Sequence, residues 1–368
     1  MVPSRRVRAA ADRYAAMHLP CTGPMMAPSG WDLAVAVPIF LACTLAIGVF
    51  GTRITRVVDQ VADRSGLGEA ISGALLLGAA TSLGGAVLSV TAAWRGDADL
   101  AMGNALGGIG VQFAALAVAD FTYRRANLEH AAASAENLMQ SGLLIAMLGL
   151  ILIAPTLPDW TVLGVHPITP LMLALYAYGL GLVRNVRRQP MWRPRQTLET
   201  REDQPDDLRN LPGALPLALR LLGLVAVLGF AGWTMQHAAA AIADRTWLSA
   251  TAIGVLFTAT ATSMPELVTS IAAVRRGALT LAVGGIIGGN AYDTLFAVGS
   301  DVAYRDGSIF HAMPESVTFW TALSLLMAAV LLMGLIRRET QGPAGIGVES
   351  VALLTLYAAG LAMVLSMG

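Results

Sequence analysis

The sequence predicts an all-α integral membrane protein with about ten transmembrane helices in two inverted five-helix repeats. Of the 368 residues, 55% are hydrophobic and only 13% are charged, whereas a soluble protein of this size needs more charge on its surface. The apolar residues gather in blocks of about 20, the length that spans roughly 30 Å of hydrocarbon. A third observation, an internal repeat with a spacing of 181 residues, predicts the two halves.

Ten apolar segments account for the predicted helices, with boundaries good to about four residues. Five of them belong to a first repeat over residues 31–183 and five to a second repeat over residues 213–368. In chain order the segments are Trp31–Phe50, Leu67–Thr91, Leu100–Ala119, Ser134–Ile153, Pro167–Leu182, Ala214–Thr234, Leu248–Val274, Leu279–Ser300, Val317–Leu335 and Val351–Met367.

A polar linker is predicted between the repeats, at residues 184–212. It has no apolar periodicity and contains Pro190, Pro194 and Pro205. Arginines sort strongly to the loops on the linker side, so the positive-inside rule predicts a cytoplasmic linker and both termini outside. The composition, rich in Ala, Gly and Arg, is typical of a bacterial protein, and we therefore expect a bacterial plasma membrane.

The N-terminal tail of residues 1–30 disagrees with this orientation. It carries Arg5, Arg6, Arg8 and Arg13, which the positive-inside rule would keep in the cytoplasm. Either the first helix tolerates these charges, or translation starts at Met25 or Met26, and we favour the later start.

The internal repeat is visible without a gap. A shift of 181 positions lays Ala80–Gln112 over Ala261–Asp293, and 13 of these 33 positions are identical. Because each half has an odd number of spans, equivalent segments enter the membrane from opposite sides, as in many secondary transporters. In such folds the substrate site lies near the midplane on interrupted helices, and we expect interruptions at Gly84-Gly85, Pro265, Gly107-Gly108 and Gly288-Gly289.

Two carboxylates fall in the interior of predicted spans, Glu266 and Asp293. An ionisable group there costs roughly a few kcal/mol, so it is a candidate functional group. With hydroxyls, amides and carbonyls around them they form an oxygen cage, which suits Na⁺ or Ca²⁺. The candidate cation-binding residues are Glu266, Asp293, Thr262, Ser263, Thr81, Ser82, Asn290 and Gln112.

Some of these polar residues have a plainer interpretation. Hydroxyl groups in membrane helices commonly bond their own backbone or a neighbouring helix, and Asn290 could satisfy Asp293 locally. Asp120 and Asp301, also 181 residues apart, are interpreted as interfacial residues at helix ends.

The second copy resembles a known motif. It reads Thr-Ser-x-Pro-Glu-Leu from Thr262, followed by Gly-x-x-x-Gly-x-Asn-x-x-Asp ending at Asp293, and it resembles the α-repeat of the cation/calcium antiporter superfamily, the sodium/calcium exchangers. The resemblance implies that Glu266 is a central cation ligand and Asp293 a second carboxylate. It also implies that Thr262 and Ser263 are flanking sodium or calcium ligands.

The first copy departs from that family pattern. Its Pro-Glu pair is replaced by Gly84-Gly85, so one central glutamate is missing, and Ile109 and Gln112 stand at the amide positions. Because Ca²⁺ takes about six to eight oxygen ligands, the loss predicts weak Ca²⁺ affinity and a shift toward a monovalent ion or the proton.

The functional prediction is a secondary active cation antiporter of the sodium/calcium-exchanger type, with alternating access around one midplane site. The alternatives are a Na⁺/H⁺ or other monovalent-cation exchanger, and a non-transporting relative that acts as a scaffold or sensor. The protein is not expected to be an enzyme or to hold a cofactor; Na⁺, Ca²⁺ or H⁺ are its expected substrates and the lipid bilayer its surroundings. The net charge of zero gives no reason to expect nucleic acid as a partner.

Overall fold

The computed structural model describes residues 31–66, 69–96, 98–123, 126–189, 211–243, 263–342 and 346–367, with single positions 191, 194, 195, 197 and 245. Twelve α-helices are found in this part of the chain. They are α1 Leu33–Ser65, α2 Glu69–Ser72, α3 Ala79–Trp94, α4 Ala98–Thr122, α5 Leu128–Ala131, α6 Ala135–Ile153, α7 Ile168–Arg188, α8 Ala214–Ala243, α9 Met264–Arg276, α10 Leu279–Ala303, α11 Glu315–Arg337 and α12 Val348–Met367.

Seven of the described helical segments are long and apolar enough to cross a membrane. They comprise α1, the segment from Ala74 to Trp94, α4, α6, α8, α10 and α11. Most of the predicted segment Leu248–Val274 and the whole N-terminal tail lie outside the described residues. The chain is a multi-pass membrane protein, and the count of ten spans stays a prediction.

The first helix is longer than its apolar segment. The sequence predicts an end at Phe50, but α1 continues to Ser65 and ends where Gly66 adopts a left-handed φ of 66°. The added turns carry polar residues, and Asp59 forms an ion pair with Arg276 at 2.7 Å. Contacts with the end of α9 therefore support the helix beyond the apolar block.

The predicted interruption of the second segment is displaced. No break occurs at Gly84-Gly85, because α3 runs through both residues; instead a π-helical turn, Gly73–Gly78, precedes α3. Such turns leave the regular hydrogen-bond pattern and are frequent near functional sites. Pro265 does mark a helix start, since it lies in the first turn of α9.

The other two predicted interruptions are also wrong. Helix α4 runs through Gly107-Gly108, and α10 runs through Gly288-Gly289. At Gly288 the reason is close packing, because a Cβ there would lie 2.0 Å from Cβ of Ala74 in the π-helical turn. Small residues let membrane helices approach closely without a break.

Helix α10 is the centre of the bundle. It packs against the π-helical turn and against α3, α4, α6 and α9, whereas α1 and α8 pair with each other. Helices α4 and α10 each have 25 residues, and both of their bounds differ by 181 positions. Helices α1 and α8 also begin 181 positions apart. The spacing found in the sequence therefore recurs in the helix positions.

Candidate functional site

A small cavity lies among α3, α4, α9 and α10. Its volume is about 30 Å³, enough for a water molecule or a dehydrated ion. Six of the eight predicted site residues line it: Thr81, Ser82, Gln112, Ser263, Glu266 and Asp293. The structure thus brings together residues that are far apart in the chain, three from each half. We call this space the carboxylate cavity.

Glu266 enters the cavity from the first turn of α9. Its side chain is 4% exposed, and Oε1 accepts a hydrogen bond of 3.1 Å from the hydroxyl of Ser82. Among the described residues its Oε2 has no hydrogen-bond partner. The start of a helix carries partial positive charge, which favours a carboxylate there. One oxygen of Glu266 is therefore held by the first half of the chain, and the other is available to a ligand.

Asp293 enters from the middle of α10, opposite Gln112 of α4. Oδ2 of Asp293 accepts a hydrogen bond of 2.6 Å from Nε2 of Gln112. Oδ1 of Asp293 and Oε1 of Gln112 are buried and have no hydrogen-bond partner in the described part of the chain. Together with Oε2 of Glu266 these atoms form a group of unsatisfied oxygens. Buried polar atoms of this kind require a partner, and a cation supplies one.

The hydroxyl residues take different positions. Thr81 donates to the backbone carbonyls of Leu77 and Gly78, both at 3.0 Å, so only its oxygen lone pairs remain for a ligand. Ser263 is 3% exposed and precedes α9 without capping it through its side chain. Its oxygen faces Gly108, 3.8 Å from the point that a Cβ on that glycine would occupy.

Two predicted residues are not seen in the cavity. Thr262 lies outside the described residues. Asn290 is fully buried on α10 but does not line the cavity, and its amide atoms have no hydrogen-bond partner among the residues described. Of the candidate residues in the second copy, Ser263, Glu266 and Asp293 therefore line the carboxylate cavity, and Asn290 does not.

Phe296 and Asn104 are cavity residues that the sequence analysis did not select. A Cβ on Gly85 would lie 3.3 Å from Cε2 of Phe296 and 3.5 Å from Nδ2 of Asn104. The same amide nitrogen donates to the carbonyl of Gly85 at 2.9 Å. The space beside Gly85 is thus filled by an aromatic ring and an amide. The sequence contains one sign that the two copies differ here: Phe296 is aligned with a small residue, Ala115, when the chain is shifted by 181 positions.

Asp120 and Asp301 are buried within the protein. They are 1% and 0% exposed, respectively, although each lies near the end of its helix. Their hydrogen bonds show that both are structural acceptors: Asp120 accepts from the backbone N–H of Gly347, and Asp301 accepts from that of His166. Both bonds join the two halves of the chain.

Membrane-spanning helices that close around two buried carboxylates define a multi-pass membrane protein of the transporter class. The family model described as sodium/calcium exchanger protein matches residues 35–183 and 215–366. The chain belongs to the sodium/calcium exchanger family.

Two curated proteins are similar to the chain. The inner membrane protein YrbG of Escherichia coli K12 is 30% identical over 148 residues, which cover 39% of this chain and 44% of YrbG. The protein of Alkalimonas amylolytica named "Putative antiporter CaxA" is 27% identical over 315 residues, 82% of this chain and 91% of that protein. The second similarity therefore extends over both halves.

Solved structures of the sodium–calcium exchanger NCX_Mj share the fold. A form soaked with 2.5 mM Na⁺ and 0.1 mM Sr²⁺ has a TM-score of 0.62 and 17% identity, over 90% of this chain and 99% of that one. A form soaked without Na⁺ and Ca²⁺ has a TM-score of 0.60 and 19% identity, over 89% and 98% of the two chains. At this identity the likeness establishes the fold.

Proposed function

We propose that the protein is a secondary active cation antiporter that binds its ions one at a time in the carboxylate cavity. Glu266 and Asp293 supply the charge, and Gln112, Ser82, Ser263 and Thr81 supply neutral oxygens. The observation that carries the proposal is the group of buried oxygens without hydrogen-bond partners, contributed by Glu266, Asp293 and Gln112. A resident cofactor has no role in this mechanism; the cations are substrates.

The ions exchanged are proposed to be Na⁺ or another monovalent cation against the proton, rather than Ca²⁺ at high affinity. Both carboxylates come from the second half of the chain. At the position of the first half that is equivalent to Asp293 stands the neutral amide Gln112. Phe296 and Asn104 fill the space beside Gly85, where the family's second glutamate would stand. Ca²⁺ requires about six to eight oxygens, which a cavity of about 30 Å³ with two acids does not readily provide.

The proposed transport cycle is alternating access. Helices α4 and α10 match at a spacing of 181 residues, and each contributes one residue of the Gln112–Asp293 pair. This correspondence supports two inverted repeats that meet at one site, with residues 31–183 and 213–368 as the repeats. Protonation of a carboxylate would then replace the bound cation when the cavity faces one side of the membrane.

The proposed location is a bacterial plasma membrane with the linker, residues 184–212, in the cytoplasm. The printed name of YrbG, an inner membrane protein, supports the compartment. The distribution of arginine supports the orientation, because positively charged loops stay on the cytoplasmic side. Inorganic cations and lipid are the proposed partners.

Flux measurements in liposomes test the function. Purified protein is reconstituted, Na⁺, Ca²⁺ and H⁺ gradients are imposed in turn, and the wild type is compared with Glu266→Gln. The matched control is Glu315→Gln, which removes an exposed carboxylate at the start of α11. We expect Na⁺-driven proton movement in the wild type and in the control, and its loss in Glu266→Gln.

Two outcomes would contradict the proposal. Sodium-driven Ca²⁺ flux at micromolar affinity that depends on Glu266 would make the protein an ordinary calcium exchanger despite Gly85. The absence of Na⁺, Ca²⁺ and H⁺ flux would favour a non-transporting relative, provided that cooperative thermal unfolding shows the protein to be folded.

A further inference from the structure

The two buried aspartates outside the cavity make equivalent contacts. Asp120 accepts hydrogen bonds from the backbone N–H groups of Leu128, at 2.6 Å, and of Gly347, at 3.1 Å. Asp301 accepts one from the backbone N–H of His166 at 2.8 Å. His166 and Gly347 are themselves 181 positions apart, as are the two aspartates. Each aspartate thus ties the end of one helix to the other half of the chain.

The surroundings of the two aspartates differ in charge. Glu129 on α5 is 2% exposed and lies beside Asp120, and Glu349 on α12 is 7% exposed and lies close enough to Glu129 for its charge to act on that carboxyl group. The residues at the repeat-related positions, 181 away in each case, are Phe310 and Ile168. Both of those residues are apolar and buried. The contact is therefore built with carboxylic acids at these two positions in one case and with hydrocarbon side chains at the same two positions in the other, where the hydroxyl of Thr169 also donates to Oδ2 of Asp301 at 2.6 Å.

Glu129 has one oxygen that is satisfied and one that is not. Oε1 accepts a hydrogen bond of 2.9 Å from the hydroxyl of Ser350. Oε2 is buried and has no hydrogen-bond partner among the described residues. This Oε2 lies 2.9 Å, and Oδ2 of Asp120 3.5 Å, from the point that a Cβ on Gly347 would occupy. Two carboxylate oxygens therefore converge on the backbone of one glycine, and a side chain at that position would displace the carboxyl group of Glu129.

Two arginines of α11 and its C-terminal cap lie near these carboxylic acids, and neither pairs with Glu129. Arg337 at the end of α11 approaches Oε1 of Glu349 at 3.8 Å, with a side chain that is 58% exposed. Arg338 donates to the backbone carbonyl of His130 at 3.3 Å, and the ring of His130 bonds to the carbonyl of Arg338 at 2.6 Å. Arg337 and Arg338 thus contact Glu349 and a backbone oxygen, and no ion pair to Glu129 occurs in the described part of the chain.

Burial changes the protonation of Glu129. Removal from water, followed by the charge of Asp120, raises the pKa of Glu129 to about 7, while the Ser350 hydroxyl and the backbone oppose the rise and Glu349 adds to it. Helix α10, which also packs against α5, has no titratable side chain between its start and Tyr292. Like charges that share a buried space hold a proton between them.

We propose that Glu129 is a proton-binding site that docks the start of α12 against the end of α4. The neutral form keeps the bond from Ser350 through Oε1 and carries the proton on Oε2, beside Asp120. Loss of the proton leaves buried, adjacent negative charges, which weakens the contact of Asp120 with Gly347. The proposed ligand is a proton, because the buried Oε2 of Glu129 has no hydrogen-bond partner among the described residues and lies beside a second carboxyl group, that of Asp120.

The site is independent of the proposed transport mechanism, because none of its residues lines the carboxylate cavity. The raised pKa means that the folded protein binds a proton that the unfolded chain releases between about pH 4.5 and pH 7. The contribution of Glu129 to the free energy of unfolding therefore falls as pH rises through this window. Above about pH 7 the contribution has been lost.

Infrared titration of the full-length protein in detergent tests the proposal. The carboxyl stretch is followed from pH 5 to pH 9 in the wild type, in Glu129→Gln and in the exposed control Glu315→Gln. Beside any signal from the carboxylate cavity, which is common to all the samples, we expect a carboxyl signal that is lost near pH 7 in the wild type and in the control and is missing from Glu129→Gln. The variant Ser350→Ala should move this midpoint to higher pH, because it removes a hydrogen bond that favours the charged form.

Thermal unfolding at the same pH values provides a second readout that does not depend on transport. Glutamine resembles a neutral glutamic acid, so Glu129→Gln should fold and should lose less of its thermal stability than the wild type as pH rises. Superimposable infrared titrations of the wild type and Glu129→Gln would overturn the proposal. An unchanged pH dependence of the unfolding temperature in Glu129→Gln would equally overturn the docking role, whether or not the protein transports cations.

Discussion

Gln112 and Asp293 stand at the same position of the two repeats and bond directly to each other, with Nε2 of Gln112 donating to Oδ2 of Asp293 over 2.6 Å. Equivalent positions can touch only where the two copies approach closely, so this pair marks where the repeats meet. A site at such a place uses the same positions twice. A substitution in one copy therefore makes the site asymmetric, and here the first copy offers an amide and Gly85 where the second offers two acids.

Replacement of Gln112 by Asp should increase the preference for divalent cations. A third carboxylate would face the cavity, and two unit charges about 4 Å apart interact by up to about 4 kcal/mol at an effective dielectric constant of 20. We expect Ca²⁺ to bind at least about tenfold more tightly to Gln112→Asp than to the wild type, as measured by calorimetry in detergent. The control, Gln60→Asp, adds the same charge on α1 away from the cavity; an equal gain there would contradict a local effect.

A glutamate at position 85 should be accommodated only together with a smaller residue at position 296. The Cβ of Gly85→Glu would already lie 3.3 Å from the ring of Phe296, and overpacking destabilises by about 1–3 kcal/mol. The variant Phe296→Ala makes room, and it copies the alanine at the repeat-related position 115. We expect the single variant to unfold at lower temperature than the wild type.

The double variant should recover part of that stability and bind Ca²⁺, which isotope uptake into liposomes would detect. Calcium uptake by the Gly85→Glu single variant at wild-type stability would show that Phe296 does not occupy the space in question.

Removal of the Ser82 hydroxyl should weaken cation binding. Ser82 donates to Oε1 of Glu266 at 3.1 Å and orients that carboxylate, and a hydrogen bond to a charged group contributes about 1.5–3 kcal/mol. We expect Ser82→Ala to lower the apparent cation affinity by about tenfold in flux assays. Ser65→Ala, which removes an exposed hydroxyl bonded to its own helix, should have no effect. Equal affinities of the two variants would remove Ser82 from the site.

An alanine at position 288 should disrupt the crossing of α10 and the π-helical turn. Its Cβ would lie 2.0 Å from Cβ and 2.5 Å from Cα of Ala74, and backbone atoms cannot move aside cheaply. We expect Gly288→Ala to lower the free energy of unfolding by about 1–3 kcal/mol or to prevent folding. Gly149→Ala on α6, where a Cβ meets no atom within 4 Å, should be neutral or slightly stabilising. Thermal unfolding in detergent compares the two, and similar stabilities would contradict the close crossing.

Much of the candidate site followed from local pattern. Glu266 and Asp293 were selected because carboxylates inside apolar spans are rare, and the structure places both in the same cavity. Of the four predicted helix interruptions, the one at Pro265 marks a helix start, whereas the three that rest on glycine pairs are wrong. Gly288 shows why: a glycine inside a membrane helix can serve a close helix crossing instead of a break, and the sequence does not show which helix lies opposite.

The sequence by itself determined that the chain crosses a membrane, that its two halves are related, and that one carboxylate pair stands in the second half. Hydropathy, spacing and charge are local properties, so they can be read along the chain. Only the tertiary structure decided what surrounds each of those groups. Phe296 lies 211 positions from Gly85, and Gly347 lies 227 positions from Asp120. Contacts between residues so far apart in the chain depend on how the helices pack, and that packing makes Gln112 a donor to Asp293 and buries Glu129 beside Asp120.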